Sequence, residues 1–271
     1  MHGRLQPHLC LRRRGSPHLD RAKPRQEKRV DLPIQRSEIT MNLLIVSTST
    51  VYGKPYLSYL ETECKDFFSS AKKILFIPFA RPGGMTHDAY TARAKEVFEA
   101  WGFEMRGAHE FETAEEGTNW ADGFFTGGGN TFVLCDTIRN TGYFDTIDAA
   151  VRSGKPYMGT SAGCNLTGIS ICTTNDMPIL YPPSFDAFGW VPFNINPHYL
   201  DPIEGSTHMG ETRETRIKEF HHFNNQPVIG LREGSWIRVH GEHMELKGEH
   251  TARLFSLNGI KEISEIGMDN F

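Results

Sequence analysis

Along most of the chain, short apolar runs alternate with segments whose apolar residues recur at helical spacing. Residues 43–47 (LLIVS) and 73–80 (KILFIPFA) are runs rich in β-formers. Between them, residues 55–68 carry Leu57, Leu60, Cys64 and the Phe67/Phe68 pair at the spacing of one helix face. Residues 90–101 repeat the pattern through Ala94, Val97, Phe98 and Trp101, and Gly102 supplies a stop. Residues 103–108, 123–126 (GFFT) and 155–159 (KPYMG) read as further strands, with helices over 130–138 and 143–152. The section 169–201 is rich in Pro, Asn and Gly and reads as long loops, followed by a helix over 211–222 and a closing pair of strands over 227–231 and 235–239. Apolar strands alternating with helices imply an α/β fold, with a mostly parallel sheet flanked by helices on both faces. In such sheets, sites form at the carboxyl ends of the strands.

The first forty residues break this pattern. They hold four prolines and no periodicity, with ten Lys/Arg against four acids, a formal charge of +6. The rest of the chain has 19 Lys/Arg against 29 acids, a formal −10, so a basic leader precedes an acidic body. The leader has too little apolar surface to offset the entropy of ordering it, and residues 1–40 are expected to be a disordered extension. It lacks the continuous apolar stretch of a secretory signal. Met41 stands directly before the first strand and reads as the physiological start, which leaves 41–271 as a single α/β domain. The whole chain carries a net charge of −4, which argues against a nucleic-acid partner, and no run approaches the ~20 apolar residues of a membrane span. Five cysteines without a CxxC pair give no disulfide framework and fit a reducing, cytoplasmic setting.

Candidate chemistry centres on Gly159-Thr160-Ser161-Ala162-Gly163, which fits G-x-S-x-G between a strand-like KPYMG and a helix-compatible AGCNLTG. Such a turn presents the serine hydroxyl at the sheet edge, with a helix N-terminus behind it that favours developing negative charge. A serine nucleophile needs a base, and the base an orienting acid. Of the twelve histidines, His198 is the leading candidate, because Asn196 and Pro197 fix the loop before it. Two acids compete for the third role: Asp176 in the polar loop TTNDMP, and Glu233 where a strand-like run ends at GLREG. Gly127-Gly128-Gly129-Asn130 lets a backbone approach a substrate closely and can aim N–H groups at an oxyanion. No G-K-[ST] follows it, so a phosphate loop is disfavoured. H-E-x-x-H spacing is absent and no metal or other cofactor is expected.

With these segments in place the sequence resembles peptidase E, the aspartyl dipeptidase family of serine peptidases. The resemblance is carried in order by IPFA (77–80), GGGNTF (127–132), SAGCNL (161–166), TTNDMP (173–178), INPH (195–198), GETRETRI (210–217) and IGLREG (229–234). It implies a class I glutamine amidotransferase-like (flavodoxin-like) sheet, with Ser161 where those enzymes carry cysteine. It also implies Ser161 as nucleophile, His198 as base, and either Glu233 or Asp176 as the acid, with a lean to Glu233. Gly128, Gly129 and the N–H of Ala162 would line the oxyanion hole. The family removes an N-terminal aspartate from Asp-X dipeptides, so the pocket needs a cation for the side-chain carboxylate. Arg213 is the candidate, with Asn130 as a second substrate-binding residue. The alternative for Arg213 is an ion pair on its own helix, with Glu211 or Glu214. Small peptides are the expected partners of a monomer or homodimer. The competing functions are a cyanophycinase-like β-aspartyl peptidase and a non-catalytic amidotransferase-like binding protein.

Overall fold

The computed structural model describes residues 40–203, 205, 207 and 209–271. The expected disordered leader, Thr40 excepted, lies outside the described residues. Five parallel strands form the centre: β1 (Asn42–Val46), β2 (Lys73–Ile77), β3 (Glu104–Gly107), β4 (Gly123–Thr126) and β5 (Tyr157–Thr160). They run in the order β3-β2-β4-β5-β1. Side chains alternate across a strand, so each run of consecutive apolar residues feeds two cores. Leu43, Ile45, Leu75, Ile77, Phe124 and Tyr157 pack on one face, and Leu44, Val46, Ile74, Phe76, Phe125 and Met158 on the other.

Helices cover both faces. After a single 3₁₀ turn at Ser58–Leu60, α1 (Glu61–Phe67) and then α2 (His87–Ala100) place Cys64, Phe67, Tyr90, Ala94 and Phe98 on the second face. The opposite face receives α3 (Ala114–Trp120), α4 (Thr131–Asn140) and α5 (Tyr143–Arg152). Three of these helices start at a side-chain cap: Thr86, Thr113 and Asn130 accept the N–H groups of Ala89, Glu116 and Val133 at 3.1 Å each. The helix expected over 55–68 shortens to 61–67, and α3 has no counterpart in the sequence reading; seven residues containing Glu115, Glu116, Gly117 and Asn119 show little apolar period.

The carboxyl third departs further from expectation. The two strands read as a closing pair separate into different sheets. Strand β8 (Ser235–His240) lies antiparallel to β1 and hairpins into β9 (His243–Gly248), completing a seven-stranded sheet. Strand β7 (Val228–Leu231) joins a second sheet of four, with β6 (Asn194–Pro197), β10 (Ala252–Ser256) and β11 (Gly259–Ile263) in the order β11-β10-β7-β6. β6 falls inside the section read as loops, because its sequence, NINP, is half polar. The neighbouring loop engages the buried amides of Asn194 and Asn196: Asn194 bonds the N–H and Oγ of Ser170, and the Asn196 NH₂ donates to the Thr173 carbonyl and to Asn175 Oδ1. Cys64, Cys135, Cys164 and Cys172 are free thiols. Among the described residues no helix is long and apolar enough to cross a membrane.

Candidate active site

Strand β5 is buried along its whole length and leads into Ser161, whose backbone sits at φ 52° and ψ −112°. A non-glycine residue at positive φ is strained and persists only where its surroundings hold it. Here Ser161 N–H donates to Val46 O at 3.1 Å, and the chain turns at once into α6 (Ala162–Asn165). The small flanking residues are a steric necessity. A Cβ on Gly159 would stand 2.2 Å from Gly163 O, and one on Gly163 would stand 2.4 Å from Thr126 O. Helix α6 is a single turn, shorter than the sequence suggested, so its dipole contribution is small.

His198 follows β6 and is likewise at positive φ, 52°. Glu233 lies two residues past the end of β7, beside β6 in the same parallel pair. The three side chains meet in series. Glu233 Oε1 is 2.6 Å from His198 Nδ1, and Ser161 Oγ is 2.9 Å from His198 Nε2. A carboxylate only accepts, so Nδ1 carries the hydrogen and Nε2 is left to accept from the serine hydroxyl. Cys164, three residues on, does not compete as a nucleophile: it is fully buried, and burial pushes its thiol well above the ordinary range.

The glycine run leaves the carboxyl end of β4, next to β5. A Cβ on Gly128 would lie 2.8 Å from the Cβ of Ser161, so that backbone touches the serine. Gly129 is at φ +148°, and a Cβ there would come within 2.2 Å of Ala80 O. Among the described residues no acceptor meets the N–H groups of Gly128, Gly129 or Ala162. Tyr90 braces this loop from behind. Its fully buried ring lies under Gly127, and its hydroxyl donates to Gly128 O at 3.2 Å. The Gly128–Gly129 peptide thus has its carbonyl turned toward Tyr90 and its N–H away from it.

The carboxylate that contacts His198 is that of Glu233. Asp176 instead caps α4: its Oδ2 accepts from Thr131 N–H at 2.8 Å, Thr131 Oγ1 at 2.6 Å and Thr174 Oγ1 at 2.9 Å. The Asn130 side chain is engaged at both ends, accepting from Val133 N–H and donating to Met177 O at 2.9 Å. These contacts tie the 174–177 loop to the end of the glycine run. Arg213 is the first residue of α7 (Arg213–Phe220). It lines a cleft of about 510 Å³ together with Asn175, Asp176, Asn196 and Ile217. Ser161 and His198 are not in that lining, which comes as near as Asn196, two residues before His198. The ion pairs considered for Arg213 within its helix do not form. Glu211 bonds Arg216 at 2.8 Å, and Glu214 bonds Lys218 at 2.7 Å and Arg253 at 3.2 Å. Arg213 has no carboxylate partner among the described residues.

Sequence reasoning passed over Tyr90, Ser47 and Arg232. Nothing in the sequence marks Tyr90 beyond its place on an apolar helical face, and its use appears only once α2 packs beneath the glycine run.

A serine hydroxyl, an imidazole and a carboxylate in hydrogen-bonded series at the carboxyl edge of a parallel sheet make this an α/β serine hydrolase by arrangement. The model of Peptidase family S51 matches residues 43–247, and the chain belongs to that family. It is 46% identical over 229 residues to "Peptidase E" of Streptomyces coelicolor, covering 84% of this chain and 93% of the relative. It is 46% identical over 224 residues to the Drosophila melanogaster protein named "Probable alpha-aspartyl dipeptidase", covering 82% and 92%. In fold it is similar to the crystal structure of a peptidase from an acI-B1 Actinobacterium, with a TM-score of 0.62 at 16% identity, covering 84% of this chain and 96% of the other.

Proposed function

We propose that this protein is a serine dipeptidase that removes N-terminal aspartate from Asp-X dipeptides through an acyl-enzyme on Ser161. The observation that carries the reading is the unbroken relay from Ser161 Oγ through His198 to Glu233, at 2.9 and 2.6 Å. His198 Nε2 takes the serine proton as Oγ attacks the scissile carbonyl, and returns it to the departing amine. Glu233 holds the imidazole in the required tautomer and stabilises its charged form. The N–H groups of Gly129 and Ala162, with that of Gly128, receive the oxyanion. Water, activated by the same histidine, then hydrolyses the aspartyl ester. Asp176 and Asn130 act on the substrate side of the glycine loop, as braces of the wall nearest the cleft.

Arg213 is the proposed grip for the aspartyl side chain. Its support is electrostatic: Glu211 and Glu214 have other partners, and a guanidinium in a cleft with no carboxylate partner among the described residues suits a substrate carboxylate through two parallel bonds. The name of the Drosophila relative fits this preference. The peptidase domain is taken to be residues 41–271, in a cytoplasmic setting that suits the free thiols.

Two variants test the reading. Ser161→Ala lowers turnover of Asp-Leu by roughly 10³-fold or more. Near-normal turnover by that variant removes the mechanism. Arg213→Ala lowers kcat/KM for Asp-Leu by roughly 10²-fold while changing Asn-Leu little, narrowing the ratio between them. An equal loss on both substrates contradicts the pocket assignment.

A further inference from the structure

The strand next to the nucleophile carries a buried hydroxyl that the mechanism above does not use. Ser47 follows β1 directly and is fully buried. Its Oγ donates to Leu231 O at 2.8 Å and accepts from His198 N–H at 2.9 Å. The direction of both bonds follows from chemistry: a carbonyl only accepts and an amide N–H only donates. Ser47 N–H in turn donates to Ser235 O at 3.2 Å, and the preceding residue, Val46, receives Ser161 N–H at 3.1 Å.

These bonds converge on the three carriers of the relay. Val46 holds the backbone of the nucleophile. The Ser47 hydroxyl holds the backbone of the base, at its strained positive φ, and also the strand end two residues before the acid. The serine comes from the seven-stranded sheet, whereas the histidine and glutamate come from the four-stranded one. One hydroxyl therefore bridges the seam between the sheets where the relay must be in register.

We propose that Ser47 is a positioning residue for the reaction, setting His198 and Glu233 against Ser161 through its two hydroxyl bonds. Removing the hydroxyl leaves His198 N–H without its acceptor, so the residue is no longer held at φ 52° and the imidazole drifts from Ser161 Oγ. Displacement by a fraction of an ångström to an ångström acts on the chemical step and not on substrate binding. The inference rests on the peptidase reading, so its test needs a readout for each.

The test compares wild type, Ser47→Ala, His198→Ala and the double variant, all as full chains. The two readouts are Asp-Leu hydrolysis and the rate of covalent labelling by a small fluorophosphonate. Ser47→Ala is expected to lose about 10²-fold in kcat with KM changed less than about threefold, and to lose labelling rate in parallel. In the His198→Ala background the same substitution is expected to cost nothing further, because Ser47 acts through the histidine. The Nδ1 proton of His198, seen by NMR, is expected to shift or broaden in Ser47→Ala, and Ser47→Thr to restore part of the activity. Should Ser47→Ala not accumulate folded, Ser47→Cys, which leaves no cavity and weakens both bonds, carries the same comparison. Wild-type kcat and labelling in the Ser47 variant overturn the role of Ser47, as does an equal loss with and without His198. A wild-type protein that neither labels nor hydrolyses dipeptides refutes the peptidase reading instead.

Discussion

Ser161, His198 and Glu233 touch in sequence, and the second carboxylate considered for the site, Asp176, has a separate set of partners. The two acids should therefore fail differently. Glu233→Gln keeps the shape but offers an amide to His198 Nδ1. It is expected to lower kcat by roughly 10²–10⁴-fold with little change in melting temperature, by analogy with neutralised triad acids. Asp176→Asn keeps an acceptor for Thr131 N–H but weakens the cap of α4. It is expected to cost about 1–3 kcal/mol in stability and to reduce activity less than the Glu233 variant. Thermal melts and steady-state kinetics on the pair separate them, and the reverse ranking of kcat would return the orienting role to Asp176. Tyr90→Phe removes only the hydroxyl behind the Gly128–Gly129 peptide. It is expected to lower kcat by about tenfold through a less fixed oxyanion donor, with KM almost unchanged.

At the scale of elements, Arg232 links the pieces that bear the base and the acid. It grips Asp201 through two bonds of 2.8 and 2.9 Å, reaches the Thr251 carbonyl at 2.7 Å and pairs with Glu262. Asp201 lies three residues past His198, and Arg232 directly precedes Glu233, so the pair ties the two loops together. The hydrogen bonds from Arg232 hold both carboxyls below their ordinary range, Asp201 and Glu262 alike. A depressed folded-state pKa stabilises the fold above the unfolded-state value, near 4, and that contribution is lost as pH falls through the folded-state value. Arg232→Met should therefore lower Tm at pH 7, and the gap to wild type should close on acidification below pH ~4. A gap independent of pH contradicts the account. The legibility of the sequence also divides by element. Strands such as LLIVS, buried on both faces, announce themselves as apolar runs, and the G-x-S-x-G turn is local, so its geometry was readable. β6 was not, because Asn194 and Asn196 are buried amides whose partners come from a loop about twenty residues earlier, and a polar strand bonded at long range carries no local period. The split of β7 from β8 was hidden for the same reason: pairing partners are decided by tertiary contacts. The choice between Glu233 and Asp176 needed the position of β7 beside β6, which no spacing in the sequence encodes.

For the molecule as a whole, the first strand among the described residues begins at Asn42 and the family match at residue 43. A chain starting at Met41 is expected to keep wild-type Tm and Asp-Leu turnover while losing the +6 charge of the leader, a result that kinetics and calorimetry on the shortened chain would check. In the proposed reading, the two sheets, the glycine loop and the arginine all serve a covalent step at one oxygen. Acid quenching of the enzyme during turnover of an aspartyl substrate, followed by peptide mapping in a mass spectrometer, observes that step directly. The account predicts one aspartyl group esterified to the peptide containing Ser161 and absent from Ser161→Ala. A Ser161→Ala variant that turns over the substrate at the wild-type rate, or an aspartyl adduct on another residue, would contradict it.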